Sequence, residues 1–140
     1  MLIKDIEIVD KLSVDKPILM IDEADFNKEE ASLSSRLYLS KDLYFWKHHF
    51  INNPTMPGML LLEMLAQSGA LLEILLTGTS NVPIIVSVQN VRFLREVKPE
   101  KIIISEIRIK KISGQYYTTT GRVSCEGKST CKAELVHLVR

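Results

Sequence analysis

The segment from Pro57 to Gly78 constrains the fold of this chain more than any other part. Its sequence, PGMLLLEMLAQSGALLEILLTG, begins with a proline suited to the first turn of a helix and ends with a glycine suited to its stop. Apolar residues lie on nearly every face of the predicted helix, so we expect it to be buried all round. Glu63, Gln67 and Glu73 interrupt the apolar run and argue against a membrane span.

Strand-like segments lie on both sides of this helix. Before it, residues 17–27 are typical of a strand entering a turn, and residues 29–40 alternate polar and apolar side chains. After it come β-rich runs separated by short turn signals, a pattern that favours antiparallel pairing. We therefore predict an α+β fold with one domain over residues 1–140. In it, a curved antiparallel sheet of about six strands wraps the long central helix.

Charge and cysteine content argue against several functions. The chain has 18 Lys and Arg residues against 17 Asp and Glu residues, a formal net charge of +1. This balance gives no electrostatic reason to expect nucleic acid or an anionic membrane as a partner. The N-terminal segment lacks the apolar region of a secretory signal, so we expect a cytoplasmic protein. Cys125 and Cys131 lack zinc-site spacing, and we expect reduced thiols and no bound metal.

Glu63 is an acid set into an apolar run and calls for an explanation. Residues four apart share one face of a helix, so Glu63 and Gln67 bring a carboxyl group beside an amide. Burial disfavours the charged form of a carboxyl group, and an acid that stays protonated near neutral pH can donate a proton. The alternative is a glutamate on a solvent-facing notch of the helix, and the pattern alone does not decide between the two.

Two more groups near the start of the helix suit proton transfer next to a carbonyl group. An imidazole changes its charge near neutral pH and can abstract a proton there, and both His48 and His49 precede the turn. Gly58 lies where the helix begins, and N–H groups at that end can polarise a carbonyl oxygen. A structural histidine and an ordinary turn glycine are the plainer alternatives.

The segment HFINNPTMPGMLLLEMLAQ, residues 49–67, resembles the signature of the 3-hydroxyacyl-acyl-carrier-protein dehydratases of fatty acid synthesis. The family pattern is H-F-P-G-x-P-x-x-P-G, followed by an aliphatic stretch, an acid and a closing glutamine. His49 takes the histidine position, and Glu63 follows it at the family spacing of 14 residues. The other matching positions are Phe50, Pro54, Pro57, Gly58 and Gln67.

The resemblance implies the hot-dog fold and a lyase of lipid metabolism that converts (3R)-3-hydroxyacyl groups on acyl carrier protein to trans-2-enoyl groups and water. His49 would be the base, Glu63 the acid and the Gly58 N–H the donor to the thioester carbonyl. Phe50 and Gln67 would support them. No cofactor is implied beyond the carrier's phosphopantetheine. The resemblance also implies a homodimer or a trimer of dimers, with His49 and Glu63 of one site on different chains. A glutamate acid is typical of the branch that only dehydrates.

Two positions depart from the family pattern. The Pro-Gly pair after the histidine and phenylalanine is Ile51-Asn52 here, and the preceding glycine is His48. Asparagine tolerates a positive φ better than most residues, so we expect Asn52 to keep the turn. Ile51 removes a proline restraint, which supports an acyl-binding homologue without activity as an alternative. A hot-dog thioesterase is another alternative, because a helix acid that activates water does not need His49.

The acyl chain and its carrier protein would need surfaces of their own. Candidates for an apolar acyl tunnel, each equally compatible with an ordinary core position, are Met56, Met59, Leu60 and Phe93. A basic patch would favour docking of an acidic carrier protein. The residues that could form such a patch, or a solvated charged face, are Lys47, Arg92, Arg95 and Lys98.

Overall fold

Seven strands and two helices make up the computed structural model, which describes residues 1–140. In chain order they are β1 (Leu2–Lys4), α1 (Asp5–Leu12), β2 (Glu23–Asn27), β3 (Ser32–Tyr38), α2 (Gly58–Thr77), β4 (Ile84–Phe93), β5 (Ile102–Ser113), β6 (Tyr116–Cys125) and β7 (Lys128–Leu138). The strands form a single sheet in the order β1-β2-β3-β5-β6-β7-β4. Every neighbouring pair is antiparallel.

Helix α2 begins and ends where the sequence predicts. Pro57 is its N-cap residue, and Gly78 ends it with a φ of 70°, a left-handed conformation that glycine adopts at little cost. The eight consecutive residues from Gln67 to Ile74 are buried on every face, and α2 contacts α1 and strands β3 to β7. The helix is long and apolar enough to cross a membrane, but 67% of its most apolar stretch is buried inside the protein. It is therefore the core of this fold.

The N-terminal part of the sheet differs from the prediction. The sheet has seven strands rather than about six, because β1 pairs with β2 and leads into α1. The strand predicted over residues 17–27 is confined to Glu23–Asn27. Upstream of it, the N–H groups of Ile18 and Leu19 both donate to the Asp15 carbonyl at 2.9 Å. These backbone groups are engaged in a turn, which takes them out of the sheet.

Strand β4 lies at an edge of the sheet and pairs only with β7. It carries a row of exposed apolar residues, namely Ile84, Ile85, Val86, Val88 and Phe93. We call this row the β4 edge. An exposed apolar edge strand presents unpaired backbone groups to any strand that can add to it, and proteins rarely leave such an edge uncovered.

Candidate active site

His49 lies in the irregular segment between β3 and α2, just before a tight turn. Phe50 and Asn53 exchange two backbone hydrogen bonds, each of 2.9 Å, which close the turn. Asn52, at its corner, has a φ of 61°. The prediction that Asn52 keeps a left-handed conformation is therefore confirmed, and asparagine is among the few non-glycine residues that adopt it readily.

The ring of His49 is held by its own turn. Its Nδ1–H donates to the Thr55 carbonyl at 2.9 Å, and the Thr55 N–H donates back to the His49 carbonyl at 2.7 Å. A carbonyl oxygen only accepts, so in the neutral ring the proton belongs on Nδ1 and Nε2 keeps its lone pair. Phe50 stacks on the ring with centroids 4.1 Å apart. His48, by contrast, is exposed, and its ring has no hydrogen-bond partner within the chain.

A cavity of about 300 Å³ adjoins His49 at the beginning of α2 and the end of β4. Its lining residues are His49, Thr55, Met56, Gly58, Leu61, Phe93, Leu94, Arg95 and Glu96. Two of the four tunnel candidates, Met56 and Phe93, are among them, whereas Met59 and Leu60 are not. Leu61 was not predicted, because periodicity cannot rank the faces of a helix that is apolar all round.

Gly58 begins α2 directly against Phe93. A Cβ atom at position 58 would lie 2.9 Å from Cδ1 of Phe93, so any larger residue would displace that ring from the cavity wall. The first N–H groups of a helix have no partner inside it, and Pro57 adds no side-chain cap. The Gly58 N–H can therefore donate to a ligand oxygen at the positive end of the helix dipole.

Glu63 lies on the exposed side of α2 and does not line this cavity. Of the two alternatives, the solvent-facing position is the one found in the single chain. Gln67 Nε2 donates to Glu63 Oε1 at 3.0 Å, as the helical spacing predicts. The same amide donates to the Ile18 carbonyl at 2.9 Å and accepts the Met20 N–H at 2.7 Å. Gln67 thus joins the acid to the segment before β2, a contact that sequence reasoning missed.

A second glutamate on α2, Glu73, has the opposite environment. It is 0% exposed and His137 is 2% exposed, with Oε2 of Glu73 lying 3.1 Å from Nδ1 of His137. The two atoms are at ion-pair distance without hydrogen-bond alignment, and neither has another partner. Burial raises the pKa of Glu73, while His137 acts in the opposite direction. Sequence reasoning missed this pair, although β7 alternation puts His137 in register with buried Ala133 and Leu135.

The chain is similar in sequence to a known family and to named dehydratases. The sequence model of the FabA-like domain family matches residues 12–134. The 3-hydroxyacyl-acyl-carrier-protein dehydratase FabZ of Caulobacter vibrioides is 30% identical over 137 residues, covering 95% of this chain and 86% of that protein. The FabZ dehydratase of Oceanobacillus iheyensis is 27% identical over 125 residues, covering 89% of each chain.

Solved structures match the fold at lower sequence identity. The dehydratase heterocomplex ApeI:P from Xenorhabdus doucetiae has a TM-score of 0.75 and 12% identity, covering 95% of this chain and 90% of that chain. A mutant thioesterase from Pseudomonas aeruginosa has a TM-score of 0.66 and 19% identity, covering 93% and 83%. At these identities the likeness concerns the fold alone, and it confirms the predicted hot-dog fold.

Proposed function

Because the chain belongs to the FabA-like domain family, we propose that it is a 3-hydroxyacyl-acyl-carrier-protein dehydratase of fatty acid or related lipid biosynthesis. The observation that carries this proposal is the hydrogen bond from His49 Nδ1 to the Thr55 carbonyl, which leaves Nε2 as a base in a residue that lines a cavity. The FabZ dehydratases among its relatives support the reaction class.

The reaction moves two protons and breaks one C–O bond, with no net transfer of electrons. His49 Nε2 takes a proton from C2 of the thioester, and the electron pair of that C–H bond forms the C2=C3 double bond. The C3–O bond breaks, and Glu63 donates a proton to the departing hydroxyl, which leaves as water. His49 then holds an extra proton and Glu63 is ionised, so proton exchange with solvent resets both groups. This balance calls for no cofactor.

The Gly58 N–H acts on the thioester oxygen. Negative charge builds up on that oxygen as C2 loses its proton, and a preorganised backbone donor stabilises it without reorganisation. Gly58 and His49 line the same cavity, so the thioester carbonyl and the adjacent C2 can be held between them.

A second copy of the chain would complete this site. Within a single chain, Glu63 does not line the cavity, whose only carboxylate is that of Glu96. Glu63 and Met59 are exposed, and their spacing puts them on one face of α2. Pairing of two β4 edges about a twofold axis would cover the apolar row and bring Glu63 of the partner subunit to the cavity. We propose a homodimer, or a trimer of dimers, on this ground.

Docking of the acyl carrier protein would use the basic residues near the cavity. Lys47 and Arg92 are exposed and suit an acidic partner. Arg95 lines the cavity and donates to the Ser129 carbonyl at 2.7 Å. Lys98, the fourth candidate for the patch, is bound to the turn after His49. We also propose that the reaction takes place in the cytoplasm.

A hot-dog thioesterase is the second candidate function, and the thioesterase fold of the Pseudomonas structure is the observation in its favour. A thioesterase needs a carboxylate that activates water by accepting its proton, and the fixed His49 ring would have no part in that step. The dehydratase mechanism uses both groups, so it accounts for more of the geometry.

The test is to give the purified protein a 3-hydroxybutyryl group on acyl carrier protein. We expect the ultraviolet absorbance of a conjugated enoyl thioester to rise, without release of free thiol. Thiol release without an enoyl product would identify a thioesterase. Tight binding with neither product would identify an acyl-binding homologue, and both results would contradict the proposal.

A further inference from the structure

Lys98 follows β4 in a loop, and its ammonium group is bound to the turn after His49. Nζ donates to Thr55 Oγ1 at 2.8 Å, to Asn53 Oδ1 at 2.9 Å and to the Pro54 carbonyl at 3.1 Å. An ammonium group has three N–H donors, so these acceptors satisfy all of them.

The backbone beside Lys98 is joined to the same segment. The carbonyl of Val97 accepts the Met56 N–H at 2.9 Å, and both residues are buried. Backbone and side-chain bonds thus hold the loop after β4 against the end of the turn.

These contacts act on the residue that orients the His49 ring. The Thr55 carbonyl accepts the Nδ1–H of His49, while the Thr55 hydroxyl accepts from Lys98. Thr55 is also buried, which restricts its movement. A displacement of Thr55 would therefore change the one hydrogen bond that fixes the proton on Nδ1.

The tip of the turn has few other restraints. Ile51 is 79% exposed, so its side chain adds little packing. It also lacks the fixed φ that a proline would provide. Within the turn, Phe50 and Asn53 are paired by backbone bonds and the Thr55 hydroxyl donates to the Asn53 carbonyl at 3.3 Å. Lys98 is the residue that bonds Asn53 and Pro54 to the loop after β4.

We propose that Lys98 is a positioning residue for His49: by bonding to residues 53–55 it holds the Thr55 carbonyl where it keeps the ring proton on Nδ1. The catalytic part of this inference rests on the proposed function, in which His49 is the base. A carrier-docking role would need an ammonium group free to meet an acidic partner, and the N–H groups of Lys98 are already bonded within the chain.

The test compares Lys98→Met with Lys101→Met. Both variants remove one positive charge from the same loop, but Lys101 makes only an exposed ion pair with Glu126, at 3.2 Å. Nitrogen-15 NMR of the imidazole reports the tautomer of His49 without substrate. We expect the Nδ1–H form in the wild type and in Lys101→Met, and a mixture of tautomers in Lys98→Met.

Kinetics add a second measurement. We expect Lys98→Met to lower kcat by about 10- to 100-fold, the range for a small displacement of a catalytic group, with a smaller change in KM. Lys98→Arg should recover only part of the loss, because a planar guanidinium cannot direct its N–H groups as an ammonium does. Should Lys98→Met fail to fold, Lys98→Gln replaces it with the same expected results, because its amide has only two N–H donors and cannot bond to all three acceptors of the ammonium group.

Two results would overturn the inference. One is a His49 tautomer in folded Lys98→Met that equals that of the wild type. The other is a loss confined to KM that Lys98→Arg restores in full, which would indicate docking. Since the NMR measurement needs no turnover, an inactive wild-type protein would refute the proposed function while the tautomer still decides the role of Lys98.

Discussion

Helix α2 carries two glutamates in opposite surroundings. Glu63, near its N-terminal end, is exposed and accepts a hydrogen bond from Gln67 at 3.0 Å. Glu73 is fully buried 3.1 Å from His137 and has no aligned hydrogen bond. Burial in an apolar helix therefore does not by itself identify a catalytic acid, since structural groups are perturbed by burial too.

Glu63 and Glu73 differ in whether a substrate can reach them. No lining residue of the His49 cavity comes from the region around Glu73, so a substrate in that cavity cannot reach its carboxyl group. Glu63 is open to solvent on a face of α2 that we propose a second chain covers. We therefore assign chemistry to Glu63 and an effect on stability to Glu73, and each assignment can be tested.

The largest expected effect is on activity at position 63. Glu63→Gln should lower kcat/KM by about 10²–10⁴-fold, because the amide keeps the shape and still accepts from Gln67 but is not an acid. Glu73→Gln should keep activity close to that of the wild type. Glu96→Gln, which alters the one carboxylate lining the cavity within a single chain, should do the same. Steady-state kinetics on folded variants check this, and a loss of activity in either control rather than in Glu63→Gln would refute Glu63 as the acid.

The adjacent residues His48 and His49 allow a similar test of the base. His49→Ala should lose activity by a similar factor of about 10²–10⁴, because Nε2 of His49 is the proposed proton acceptor. His48→Ala should retain most activity, since its exposed ring bonds to nothing in the chain. Parallel rate measurements check this. An inactive His48→Ala together with an active His49→Ala would identify His48 as the base instead.

A smaller effect concerns the turn that carries His49. Asn52 has a φ of 61°, so Asn52→Val should destabilise the protein by about 1–3 kcal/mol, because a β-branched residue is strained there. Asn52→Gly should be neutral or mildly stabilising. Urea unfolding of the three proteins gives these differences, and equal stabilities for the valine and glycine variants would refute the account of the turn.

The smallest effect is the dependence of stability on pH at Glu73. Because burial raises the pKa of Glu73 above its ordinary value of 4.5, the folded protein keeps a proton that the unfolded chain releases as the pH rises past that value. Unfolding then releases a proton, so this contribution to stability falls with rising pH, by at most about 1.4 kcal/mol per pH unit, until the folded protein also loses the proton.

Glu73→Gln isolates that contribution. The free energy of unfolding of the wild type, minus that of the variant, should decline from acidic to neutral pH in urea titrations. Parallel pH profiles for the two proteins would show that Glu73 has the same protonation in the folded and unfolded states.

Much of this fold follows from local sequence patterns. The proline and glycine around α2, the polar and apolar alternation over residues 29–40 and the asparagine at position 52 each dictate a local conformation, and all three are found as predicted. β1 and α1 were missed because such short segments have little structure of their own and depend on pairing with the rest of the sheet.

The site itself depends on contacts between distant parts of the chain. Lys98 bonds to Thr55 across 43 residues, and Gln67 bonds to Met20 across 47. Hydrophobic periodicity in the sequence does not predict contacts between such distant residues. The sequence pattern of a helix that is apolar on all faces also does not indicate which of its glutamates is buried. The alternation in β7 does predict that His137 is buried.

In the proposed dimer, His49 and Glu63 of different subunits form one dehydratase site, and mixing two inactive variants reveals whether they do. His49→Ala and Glu63→Gln are combined in equal amounts and allowed to exchange subunits, with mixed dimers verified by native mass spectrometry. Each mixed dimer would contain one site with both groups intact, and half of the dimers would be mixed. We therefore expect recovery of about a quarter of wild-type dehydration. Mixed dimers with no recovered activity would contradict it.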